Sequence, residues 1–97
     1  RVQTLWNGTA VVSMVVDADG KPAADLMITT TGMLEPEDED AVLDAVTDDI
    51  FDALERMKVR DLKSDDAISE TVRIAARKSF RRLLDKKPVT DVHLIRI

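Results

Sequence analysis

One histidine, His93, no cysteine and three isolated glycines leave this chain few routes to covalent chemistry. His93 has no second histidine at ligand spacing, so it does not build a metal site and reads as a residue on a half-exposed sheet face. Ser13 lies inside an apolar run without a nucleophile elbow, and no glycine-rich loop is present to cradle a phosphate. Asp48 and Asp52 stand one helical turn apart. They are two of many acids on a polar helix face, with no apolar surroundings to raise a pKa for general acid work. Asp17, Asp19 and Gly20 have the spacing that opens a calcium loop, yet the later ligands and the bidentate glutamate at its twelfth position are missing. The remaining pattern is basic. Arg73, Arg77 and Arg81, four residues apart, share one helix face, with Lys78, Arg82, Lys86 and Lys87 close by. A row of guanidiniums can track phosphates, which makes Arg77, Arg81 and Arg82 candidate RNA contacts. The competing reading is ion pairing with the acids of the preceding helix, and the scarcity of aromatic rings for base stacking favours it. No catalytic, metal or cofactor-binding residue is predicted.

Whatever these residues do, the stretch from Ala10 to Asp17 must position them. It is the clearest strand in the chain, β-branched and followed by an Asp-Ala-Asp-Gly turn. Side chains alternate along a strand, so Ala10, Val12, Met14 and Val16 share one face and Val11 and Val15 the other. Both faces are apolar and both need a cover. Asp17 to Pro22 is a turn: Gly20 can take a positive φ, Asp17 can bond its own backbone, and Pro22 discourages further pairing. Leu26 to Thr31 reads as a second strand, antiparallel to the first, with Met27 and Thr29 opposite to Leu26 and Ile28. Gly32 and Pro36 end it.

A helix opens at Glu35-Pro36-Glu37-Asp38-Glu39-Asp40, where proline suits the first turn and acids suit the dipole. Its apolar stripe is Leu43, Val46, Ile50, Ala53, Leu54 and Met57, running to about Lys58. A linker from Val59 to Lys63 leads to Ser64-Asp65-Asp66, a second helix start. Ile68, Val72, Ala75, Ala76, Ser79, Phe80 and Leu83 form its buried stripe, and Pro88 stops it near Lys86. Val89 to Ile97 alternates as a third strand, with Val92 and Leu94 on one face and His93, Ile95 and Ile97 on the other. The expected fold is α+β: a three-stranded sheet with two helices packed on one face, in the order β-β-α-α-β.

Ninety-seven residues form one domain, 1–97, large enough to bury about two thirds of its unfolded surface without staples. Residues 1–8 read as a lead-in from a preceding domain or linker, in which Trp6 packs against the core edge or anchors a domain interface. The absence of cysteine excludes disulfides and thiolate metal sites. No apolar run approaches the length of a membrane span and no signal peptide pattern opens the chain, which points to the cytoplasm. A start at Arg1 rather than Met reads as a piece of a longer protein. The net charge of −5 is unevenly spread. Glu35 to Glu70 holds fourteen acids and four bases, Thr71 to Ile97 eight bases and two acids. Helix dipoles account for much of this, and steering of partners is its other use.

Several of these stretches together resemble the C-terminal domain of ribonuclease J. They are the strand and turn from Gly8 to Gly20, the second strand ending at Gly32, Asp49-Ile50-Phe51-Asp52-Ala53-Leu54 in the acidic helix, and Arg81-Arg82-Leu83-Leu84-Asp85-Lys86-Lys87-Pro88 before the last strand. The resemblance implies a parent enzyme of the metallo-β-lactamase and β-CASP type. Such an enzyme is a bacterial two-zinc ribonuclease with 5′ to 3′ exonuclease and endonuclease activity in RNA processing and decay. Its zinc ligands belong to preceding domains and have no counterpart here, so zinc is implied for the parent and no cofactor for this segment. The resemblance also implies a small sheet with two helices that supports oligomerisation. The expected partners are a second copy or the parent's catalytic domains, with RNA reached through the parent and no membrane. The candidate association face is the one opposite the helices, carrying Val11, Val15, Met27, His93 and Ile95.

Overall fold

The computed structural model of the chain describes residues 8–32 and 34–97. Trp6 and the rest of the expected lead-in up to residue 7 lie outside them. Strands β1 (Thr9–Val16), β2 (Met27–Thr31) and β3 (Val89–Arg96) form one sheet with β1 in the middle, and helices α1 (Pro36–Glu55) and α2 (Asp65–Leu84) come between β2 and β3. β2 runs antiparallel to β1 and β3 parallel to it, so the sheet is mixed. A parallel partner needs a long crossover, and the two helices supply it.

The period-two pattern of β1 decides which sheet face is covered. Ala10, Val12, Met14 and Val16 are buried beneath the helices, joined there by Val46, Ile50 and Leu54 of α1 and by Ile68, Val72, Ala76 and Phe80 of α2. Each fully buried side chain of this size stabilises the fold by about 1.5–3 kcal/mol relative to exposure. From β2 and β3, Ile28, Val92 and Leu94 pack against the same core. The expected architecture is therefore present in the expected order.

Local chemistry sets the element ends. At the start of α1, Pro36 follows an extended Glu35, and Glu37, Asp38 and Glu39 place negative charge at the positive end of the dipole. α2 is capped by Ser64, whose Oγ accepts from the Ala67 N–H at 3.2 Å. It ends at Leu84, earlier than Pro88 requires, because Asp85 turns left-handed at φ 54° and its N–H closes on the Arg81 carbonyl at 2.9 Å. Three other expectations need correction. Leu83 is exposed, since the buried row follows steps of four, Ile68, Val72, Ala76 and Phe80, with Leu84 next along it. The stretch Asp61–Lys63 is a short 3-10 turn within the expected linker. Pro22 does not stop pairing: it bridges Val16, with the Asp17 N–H donating to the Lys21 carbonyl and the Ala23 N–H to the Val15 carbonyl. At that non-hydrogen-bonded position the missing proline N–H costs nothing.

Candidate interaction surfaces

Because β1, β2 and β3 are in register, the helix-free face can be laid out row by row. Val11 stands between Thr29 and Asp91, Ser13 between Met27 and His93, and Val15 beside Ile95. Val89 and Ile97 extend the face at its two ends. All five residues of the candidate association face thus share one surface, and the structure adds Val89 and Ile97 to them. Met27 is 66% exposed and Ile95 58%, while Val11 and Val15 are half-buried by their strand neighbours. His93 is exposed among them. The face is apolar at Val11, Val15, Met27 and Ile95 and is punctuated by Ser13, Asp91 and His93, which carry hydrogen-bonding groups.

The second surface lies on the helix layer. α1 and α2 pack closely where Ala75, Ala76 and Ser79 leave room, and a depression of about 380 Å³ between them is lined by Asp49, Arg56, Lys78, Ser79 and Arg82 among others. Within it the Ser79 hydroxyl, 1% exposed, donates to Asp49 Oδ2 at 2.6 Å, and Arg82 Nη2 lies 2.8 Å from the same oxygen. The Ser79 hydrogen bond foremost, then Arg82 and the charge of Arg56, hold the Asp49 carboxyl below its ordinary value. Arg82 is thus spoken for by the acidic helix, the outcome expected from the ion-pairing reading. Arg77 and Arg81 are not: they are exposed and line an adjoining depression of about 290 Å³ with Ile74, Lys78 and Lys87.

The expected row of three arginines does not hold together. Arg73 bonds Glu70 through both Nε and Nη2 and faces Thr90 and Asp91 near β3. Arg73 thus lines a separate depression with Asp66, Ser69, Glu70 and Val92, whereas Arg77 and Arg81 line one with Ile74, Lys78 and Lys87. Arg56 and Ile74 were not legible as parts of this surface, because the first sits on the other helix and the second lies outside the apolar stripe.

A third cluster is structural. The Arg96 guanidinium, at the end of β3, donates to the carbonyls of Asp17, Ala18 and Leu62 at 3.0–3.1 Å and to Asp65 Oδ1 at 2.7 Å. Among the described residues no group of three or more His, Cys, Asp or Glu side chains is placed to hold a metal ion. Asp17, the first residue of the calcium-like spacing, instead accepts from the N–H groups of Asp19 and Lys21 within its own turn. No helix among the described residues is long and apolar enough to cross a membrane.

A three-stranded mixed sheet beneath two helices, in the order β-β-α-α-β, defines a small α+β domain. The chain belongs to the ribonuclease J C-terminal domain family, whose model matches residues 3–97. A comparison with curated proteins found no match.

Proposed function

We propose that this domain is a non-catalytic association module of a ribonuclease J-like enzyme, joining copies of that enzyme through its helix-free sheet face. The observation that carries this reading is the row of apolar side chains at Val11, Val15, Met27 and Ile95, which no helix covers, on a sheet whose other face packs under α1 and α2. An exposed apolar face on a three-stranded sheet is stabilised by burial against a partner, and identical copies supply one by two-fold symmetry. The parent on this reading is a zinc-dependent cytoplasmic ribonuclease, with catalysis and RNA cleavage in its other domains. The test is the molar mass of the 97-residue chain by light scattering over a concentration series, with Val15→Asp alongside. Self-association of the unsubstituted 97-residue chain and a monomeric, fully folded Val15→Asp variant are expected. An unchanged mass for the variant overturns the assigned face, and a strict monomer at every concentration shifts the partner from a second copy to the enzyme's catalytic domains.

A further inference from the structure

The geometry points to a second binding surface: the furrow along α2, from the α1–α2 crease to the outer side of α2, holds a single-stranded nucleic acid by its phosphates. It lies on the helix layer, apart from the sheet face, and goes beyond the association reading.

The two depressions share Ile74 and Lys78 and so form one furrow. From Thr71 to Arg82, α2 covers about 16 Å at 1.5 Å per residue. That is about five nucleotides at 3.4 Å each. Six cations line the furrow: Arg56, Arg77, Lys78, Arg81, Arg82 and Lys87. Its acid, Asp49, is already engaged by Ser79 and Arg82. Among the described residues, Arg56, Arg77, Lys78 and Arg81 make no ion pair within 4.0 Å and are exposed. Four exposed cations outside any ion pair, on a chain of net charge −5, mark a local site for a polyanion.

The kind of polyanion follows from what else lines the furrow. Apart from Arg56 and Lys87 the lining residues lie on helices, whose backbone groups are bonded internally, so an extended acidic peptide finds no strand edge among them. A nucleic-acid strand brings one charge per nucleotide whatever its sequence and needs no such edge. Guanidinium forks suit phosphate oxygens, and three of the four cations are arginines. Helix axes in contact lie about 8–10 Å apart, so the crease between them admits a single strand and not a duplex. No aromatic ring lines either depression, so bases are not stacked and sequence is not read.

Fluorescence anisotropy of labelled 12-mers of uridylate and thymidylate, titrated with the 97-residue chain from 50 to 200 mM KCl, tests this. Four neutralised phosphates at a slope of about −0.7 each predict a loss of affinity of about 50-fold over that range. Arg77→Glu/Arg81→Glu and, at the other end, Arg56→Glu/Lys78→Glu are each expected to weaken binding at least about tenfold at 50 mM KCl. Arg60→Glu/Lys63→Glu makes the same change in net charge outside the furrow and is expected to leave affinity within about threefold. Circular dichroism confirms that each variant is folded. Equal affinity for the two oligomers supports recognition through phosphates alone, and tighter binding of uridylate supports it with an added ribose contact. Absence of saturable binding at 50 mM KCl overturns the proposal. So does an equal loss in the charge-matched control, or tighter binding of a glutamate 12-mer, which would make the occupant an acidic protein segment.

Discussion

Ser79 and Asp49, thirty residues apart, meet between α1 and α2, and their hydrogen bond shows how one hydroxyl serves two ends. It satisfies a buried polar atom, and it stabilises the charged form of a carboxyl that is 28% exposed. A hydrogen bond to a charged group is worth about 1.5–3 kcal/mol, and partial exposure lowers that, so Ser79→Ala is expected to destabilise the fold by about 1–2 kcal/mol at pH 7. The sign of the pH dependence follows from the direction of the shift. Asp49 titrates lower in the folded state than its ordinary 3.8, so its contribution is fully present above that value and is lost as pH falls through the folded pKa. Urea unfolding should therefore show the gap between wild type and Ser79→Ala narrowing from pH 7 towards pH 2. A gap of constant size would mean that the hydroxyl acts by packing alone. In the sequence Ser79 was legible only as a small residue in an apolar stripe, because its hydroxyl finds its purpose in a residue of another helix.

At the scale of elements, the turn from Asp17 to Pro22 is held from three sides. Its own Asp17 side chain closes it, Arg96 draws its carbonyls towards α2, and Gly20 presses against Leu62 of the short 3-10 turn. Gly20 has φ +83°, and a Cβ there would stand 2.3 Å from the Leu62 carbonyl oxygen. Gly20→Ala therefore combines a left-handed backbone with a backbone clash and is expected to destabilise by about 2 kcal/mol or more. For a domain of this length that lowers Tm by about 8–16 °C, measurable by calorimetry. A fall of under about 4 °C would mean that the turn can move away from Leu62. The turn itself was legible from Gly20 and Asp17. Its anchor was not, because Arg96 reads as one more residue of an alternating strand, and only the packed fold brings it to the carbonyls of residues 17, 18 and 62. Periodicity likewise placed both helices and all three strands, and Ser64 marked the start of α2, while the C-terminal end of α2 and the position of Leu83 depended on cap geometry and on how the helix crosses the sheet.

Taken whole, the molecule carries two surfaces of opposite character, and salt separates them. An apolar sheet face gains or holds its affinity as ionic strength rises, whereas a row of phosphate-binding cations loses it. Raising KCl from 50 to 500 mM should leave the molar mass by light scattering undiminished while abolishing oligonucleotide anisotropy. If both fall together, the association is ionic and the two surfaces are one. The fold's layering was legible from β1, but which of its two apolar faces the helices take was not, since Ala10 and Val11 are both plausible core residues until the neighbours are placed. That same central strand has a consequence for synthesis. Its parallel partner, β3, begins at Val89, eighty residues after Thr9. At about 5–20 residues per second, a ribosome leaves β1 waiting about 4–16 s, with β2 as its sole strand neighbour and valines on both faces. During that interval the nascent chain depends on the hairpin, on early docking of α1 and on chaperones to keep its most aggregation-prone segment apart from other chains.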